Sequence, residues 1–227
     1  MKARDAVCGA VAALLAAAPS DALAESEVDL TANAGIVSDY RFRGVSLSGK
    51  KPAVQGGIDL ETGPFFVGTW ASTIAQYEGA DTEVDFYAGL QGTLGAVAWR
   101  AGGYGYLYPH GEGTDYVEMI GQAETSMGPI TLGLEGALAP RQANLEEANL
   151  YVGASSALDV GRGWTVLVRG GYEDGFYKSK WDWELGASYT LGKLTGSLSY
   201  VDTNQGASDE LASVAQGGLI GSLLIEF

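Results

Sequence analysis

From Val28 to Phe227 the chain alternates apolar and polar residues in blocks of about ten. The first block, Val28 to Phe42, puts Val28, Leu30, Ala32, Ala34, Ile36, Tyr40 and Phe42 on one face. Asp29, Thr31, Asn33, Asp39, Arg41 and Arg43 share the other. Period-two alternation is the signature of a β-strand with one face in an apolar setting and the other in a polar one. The pattern recurs cleanly in Glu83 to Leu94, with Val84, Phe86, Ala88 and Leu90 opposite Glu83, Asp85, Tyr87 and Gln91. It recurs again in Trp181 to Leu191, with Trp181, Trp183, Leu185, Ala187 and Tyr189 opposite Asp182, Glu184, Ser188 and Thr190. The block from Phe65 to Ile74 is the least regular, because Phe65 and Val67 lie opposite Phe66 and Trp70.

The connections have a rhythm of their own. Tight turns at Thr62-Gly63-Pro64, Gly95, Met127-Gly128-Pro129, Asp159–Gly163 and Gly192-Lys193 follow every second block. Longer connections are expected at Gly44–Pro52, Ala75–Thr82, Pro109–Gly113, Pro140–Glu147, Asp174–Lys180 and Asp202–Ala212. The expectation is an all-β chain: an antiparallel up-and-down transmembrane β-barrel of about twelve strands, with both ends on the tight-turn side. A ten-residue strand tilted by roughly 40° rises about 25 Å, the height of the apolar band such barrels present to lipid. Tyr and Trp near block ends are expected to form interfacial girdles. Glycines inside blocks, such as Gly57, Gly89, Gly153 and Gly171, suit bends and crowded inward faces.

The first residues are a separate object. Lys2 and Arg4, the apolar run Ala6–Ala18 and the small-residue site Ala22-Leu23-Ala24 read as a cleaved secretory signal peptide over 1–24. The barrel is then expected over 25–227, as one domain. Cys8 leaves with the signal peptide, so the remainder can form no disulfide and no cysteine metal site. The formal net charge of −15 argues against nucleic-acid partners, which need basic patches. No stretch after the signal peptide is long and apolar enough for a transmembrane helix, so insertion must use strands closed on themselves.

At this point the residues resemble a known family. Ser38-Asp39-Tyr40-Arg41-Phe42-Arg43-Gly44 is similar to the opening motif of the TorF family, outer-membrane, porin-like proteins described as conserved hypothetical. The resemblance continues in Val67-Gly68-Thr69-Trp70, Glu83–Gly89, Tyr108-Pro109, Asp182–Gly186 and Tyr200–Asn204. It covers essentially the whole chain after the signal peptide. It implies a bacterial outer-membrane location and a porin-like architecture more firmly than it implies transport.

The charged face is the candidate lumen wall. Its proposed lining is Arg41, Arg43, Glu83, Asp85, Arg100, Glu118, Glu124, Glu135, Arg169, Asp182 and Glu184. Twelve strands give a backbone radius of roughly 12 Å, enough for a narrow water-filled passage. Acidic rings favour cations, so the expected function is passive diffusion of small solutes or ions with a cation preference. Arg41 and Arg43, late in one strand, should face Glu83, Asp85, Asp182 and Glu184 across a constriction near the extracellular side. The first alternative is that these charges pair with one another and close a barrel that acts as a structural or surface-binding protein. The second is an outer-membrane hydrolase. Its candidate base is His110, the one histidine, beside Glu112 and Asp115 on an external loop. No enzyme activity, catalytic residue, metal or cofactor is assigned. Loop carboxylates (Glu78, Asp81, Glu112, Asp115, Glu146, Glu147, Asp209, Glu210) show no diagnostic metal-binding spacing. The expected partners are outer-membrane lipid, the diffusing solutes and the outer-membrane assembly machinery, which would read Phe227.

Overall fold

A computed structural model describes residues 28–176, 179–205 and 212–227. The signal-peptide reading, and Asp209 and Glu210, lie outside these residues. Fourteen strands and one short helix follow in order: β1 (Val28–Val37), β2 (Arg41–Phe42), β3 (Val45–Ser46), β4 (Ala53–Thr62), β5 (Phe65–Tyr77), β6 (Ala80–Leu94), β7 (Val97–Leu107), β8 (Tyr116–Met127), β9 (Ile130–Ala139), β10 (Asn149–Gly161), β11 (Trp164–Gly175), β12 (Lys180–Leu191), β13 (Leu194–Thr203), α1 (Ala212–Ala215) and β14 (Gly218–Glu226).

Twelve of these strands pair each with its sequence neighbour, and β14 pairs with β1 to close an antiparallel barrel. β2 and β3 form a separate hairpin. Closure leaves no unpaired sheet edge, which is what a strand structure needs in order to stand in lipid. No described helix is long and apolar enough to cross a membrane.

The outer face is apolar. Leu30, Ile58, Phe86, Leu134, Val152, Leu185 and Leu223 are all about half exposed or more on the barrel exterior. The charged and phenolic side chains of the alternate positions turn inward and are buried, among them Asp59, Asp85, Arg100, Glu118, Tyr151 and Glu173. This inverts the arrangement of a water-soluble barrel and fits an apolar surrounding. Aromatic rings gather at both rims. Tyr172 and Trp181 pack at 4.8 Å at the rim of the longer connections, and Trp164 and Tyr189 at 5.0 Å at the opposite rim.

All five expected tight turns are two-residue hairpin turns between the strand bounds given above. Two other expectations are corrected. The connection expected over Ala75–Thr82 is itself a two-residue turn, Glu78-Gly79, with both residues at positive φ (48° and 97°). Such a turn matches the right-handed twist of its flanking strands. The first strand ends at Val37 instead of running on to Phe42, and the chain then folds inward. Tyr40 and Phe42, expected on the apolar exterior, lie inside the barrel: Tyr40 is buried and Phe42 packs on Tyr106. The irregular block is also explained. Phe66 and Trp70 of β5 point into the lumen, where Arg100 lies over the Phe66 ring and Tyr40 meets Trp70 edge-on.

Candidate functional site

The segment from Ser38 to Pro52 is the centre of the lumen's chemistry. It is built locally by Asp39. That carboxylate accepts from Arg41 Nε at 2.8 Å and from the hydroxyls of Ser46 and Ser48. Tyr40 N donates to Ser48 Oγ, and Leu47 N donates to the Tyr40 carbonyl. The β2–β3 hairpin turns at Arg43 (φ 46°) and Gly44 (φ 85°), both in the left-handed region. Gly44 is required twice over. Its backbone is left-handed, and a Cβ there would meet the Asp182 and Thr203 side chains at about 3.0 Å.

The tip of this hairpin carries Arg43 across the lumen. Its Nη2 donates to Glu118 Oε2 of β8 at 2.8 Å, and its Nη1 donates to Glu118 Oε1 at 3.0 Å and Glu173 Oε1 of β11 at 2.9 Å. The guanidinium also lies over the rings of Phe42 and Tyr151, 4.5 and 4.4 Å from their centroids. Lys180 at the start of β12 pairs with Glu173 and donates to the Arg43 carbonyl at 2.9 Å. Asn149 of β10 donates to Glu173 as well. One residue of the loop between β1 and β4 thus reaches across the lumen to β8 and β11, three strands apart on the far side of the barrel. Burial alone would lower the Arg43 pKa, but Glu118 and Glu173 more than offset it and hold the guanidinium well above its ordinary value. A second strut is Tyr40, whose hydroxyl donates to Glu83 Oε1 of β6 at 3.1 Å. Burial, then the Glu83 and Asp85 charges, hold this phenol well above its usual range, so it stays a donor.

Arg41 and Arg43 therefore do not sit on a wall strand facing an acidic wall. They sit on an inward-folded hairpin between acidic residues of both walls, Glu83, Asp85 and Glu118 on one side and Glu173, Asp182 and Glu184 on the other. Arg169 approaches Asp182 at 3.6 Å and is the register partner of Glu184. A second cluster lies toward the turn end. Arg100 of β7 pairs with Glu61 at 3.2 Å and stacks on Phe66, 3.8 Å from its centroid. Tyr87 donates to Asp59 at 2.7 Å and stacks on Tyr104. Glu135 accepts from Gln122, while Glu124 is half-buried on the inward face of β8.

Flat tyrosines narrow the lumen because glycines beneath them leave room. A Cβ on Gly171 would collide with the Tyr151 ring, and one on Gly68 with the Tyr87 ring. Lys180, Tyr40 and Trp70 were not foreseen as lumen residues. The one sequence signal for Trp70 was its place on the face opposite Phe65 and Val67. His110 lies in an external turn at φ 69°. Asp115 accepts instead from Tyr108 N at 2.7 Å, and among the described residues no hydrogen bond joins His110 to Glu112 or Asp115.

Comparisons with known proteins agree with this architecture. The KdgM porin superposes with a TM-score of 0.62 at 6% identity, covering 87% of this chain and 99% of the porin. An outer membrane channel from Pseudomonas putida F1 gives 0.53 at 11% identity, covering 93% and 100%. Outer membrane phospholipase A from Escherichia coli gives 0.50 at 10% identity, covering 86% and 92%. Identities this low establish the barrel fold and nothing finer. No curated protein matches the chain in sequence. The model of the family described as "Bacterial protein of unknown function (Gcw_chp)" matches residues 21–217. The chain belongs to that Gcw_chp family.

Proposed function

We propose that this protein is a porin of the bacterial outer membrane, a member of the group also described as TorF, and that it forms a narrow channel for passive diffusion of small ions with a preference for cations. One observation carries the reading: a closed barrel with an apolar exterior encloses a charged interior in which carboxylates outnumber cations. The loop end, which bears the 38–52 segment and the Glu78-Gly79 turn, faces the outside, and the other five two-residue turns face the periplasm. The Ser38–Pro52 loop is the constriction, because Arg43 ties it across the lumen to β8 and β11.

The KdgM porin has also been solved in complex with disordered oligogalacturonate. That ligand is a polyanion, and the acidic interior here opposes it, so a carboxylated saccharide is not the proposed solute. A second reading has a specific observation in its favour. The same Arg43 bridge that makes a constriction would also close the barrel, leaving a structural or surface-binding protein. The hydrolase reading rests on His110, which among the described residues makes no hydrogen bond to Glu112 or Asp115. Single-channel recording of the refolded protein in a planar bilayer under a salt gradient separates these readings. Discrete conductance with a reversal potential toward the cation supports the channel. A silent bilayer for both the wild type and a variant lacking the loop bridge supports the closed barrel.

A further inference from the structure

The lumen is filled unevenly. On β5 to β8 large side chains reach inward and pack on one another: Arg100 lies over Phe66, Tyr87 stacks on Tyr104, and Tyr106 stacks on Tyr116. In the order of strands, β6 and β7 stand across the barrel from β12 and β13. On that far wall the inward positions are small. Thr165, Ser188, Ser197 and Ser222 form one register row from β11 to β14, and the hydroxyls of Ser197 and Ser222 share a hydrogen bond of 2.6 Å. Small side chains facing aromatic stacks leave the open space off the barrel axis. A second, independent difference lies among the inward cations. The side chains of Arg41, Arg43, Arg100 and Lys180 are 3–4% exposed, whereas that of Arg169 is 25% exposed. Its pairing with Asp182 is loose, 3.6 Å against 2.8–3.2 Å for the pairs of the other three arginines.

We propose that the passage beneath the Ser38–Pro52 loop runs off-axis along the β11–β14 wall, and that Arg169 is the residue on it that sets how strongly cations are preferred. Arg169 faces inward on β11 midway between Glu173, which holds Arg43, and Thr165 of the hydroxyl row. An ion that clears the loop therefore meets Arg169 before it reaches the serines. The other arginines are clasped by carboxylates or rings and shielded from lumen water, so their charge is spent on the fold. The guanidinium of Arg169 meets lumen water, and its charge acts on whatever passes. It opposes the field of Asp182 and of Glu184, its register partner, and so moderates a preference that the carboxylates create. This inference rests on the channel reading and adds to it the wall that conducts and the residue that tunes it.

Residues 25–227 contain no cysteine, Cys8 being the only one in the chain, so single introduced thiols report water access directly. Refolded Arg169→Cys and Ser197→Cys should react readily with a water-soluble cationic methanethiosulfonate, read by mass. Ala137→Cys, at an inward position of β9 only 2% exposed, should react about tenfold or more slowly. In a planar bilayer under a potassium chloride gradient, Arg169→Gln should raise the potassium-to-chloride permeability ratio about twofold or more. Arg169→Lys should stay near the wild-type ratio, and cationic modification of Arg169→Cys should return its ratio toward that value. If Arg169→Gln does not refold, Ser197→Cys carries the test: cationic and anionic reagents should move its ratio in opposite directions. A conducting wild type with unreactive thiols in Arg169→Cys and Ser197→Cys overturns this inference and leaves the channel reading standing. So does a ratio that Arg169→Gln leaves unchanged. A wild type that passes no current overturns the channel reading, and this inference with it.

Discussion

Arg43 is the residue on which the lumen's organisation turns. Its guanidinium is buried between two glutamates and two aromatic rings. Removing one member of a buried ion network leaves the others desolvated and uncompensated, at about 3–5 kcal/mol. Arg43→Ala should therefore lower unfolding stability in detergent by roughly that amount, read from urea or guanidinium titration. The same variant should raise single-channel conductance or shift ion selectivity, and unchanged values for both would remove Arg43 from the constriction. Arg43→Lys keeps a charge but loses the planar fork that reaches Glu118 and Glu173 together, so it should fall between the wild type and alanine. Little of this was legible in sequence. Alternation identified Arg43, Glu118 and Glu173 as polar-face residues. Their meeting depends on contacts 75 and 130 residues apart in the chain, which no local pattern reports.

At the scale of elements, the barrel strands and their turns were legible because period two and paired turn residues are local signals. The Ser38–Pro52 loop was only half legible. Alternation slips at Val37-Ser38, an apolar residue on the polar face and a polar one on the apolar face, and resumes from Asp39 to Arg43, so the point where β1 leaves the wall shows only as that one slip. The sharper cue is chemical: Asp39, Ser46 and Ser48 bracket Arg43-Gly44, and together they close a hairpin on itself. The Glu78-Gly79 turn was missed for a similar reason. Its flanks, Ala75-Gln76-Tyr77 and Ala80-Asp81-Thr82, mix small, aromatic and polar residues without a clean alternation, and a single glycine does not separate a two-residue turn from a longer loop. The strand pairing does not need the inward loop, since β1 and β4 pair along Val28–Val37 and Ala53–Thr62. Replacing Arg41–Gly49 with a short Gly-Ser linker should leave the barrel folded, as judged by heat-modifiable gel mobility and circular dichroism. Conductance should rise several-fold. A folded barrel with unchanged conductance would show that the loop is not the constriction.

For the whole molecule, the apolar exterior, the two aromatic rims and the closed register describe a barrel made to stand in a bilayer. Phe227 adds to this picture by what it does not do. Its side chain is 63% exposed, and its backbone N–H caps the closing seam by donating to the Ala32 carbonyl. Deleting it should leave refolding in detergent nearly unchanged while reducing the amount of barrel assembled in the outer membrane of cells, measured by fractionation. Equal assembly would rule out a targeting role for Phe227. The central claim is that the charged interior conducts and prefers cations. Its most direct test is the reversal potential of single channels of the refolded wild-type protein in a planar bilayer across a potassium chloride gradient. The account predicts small, discrete conductance steps with a reversal potential displaced toward the potassium equilibrium value. Displacement toward the chloride value, or a bilayer that stays silent with and without the Arg43 bridge, would contradict it.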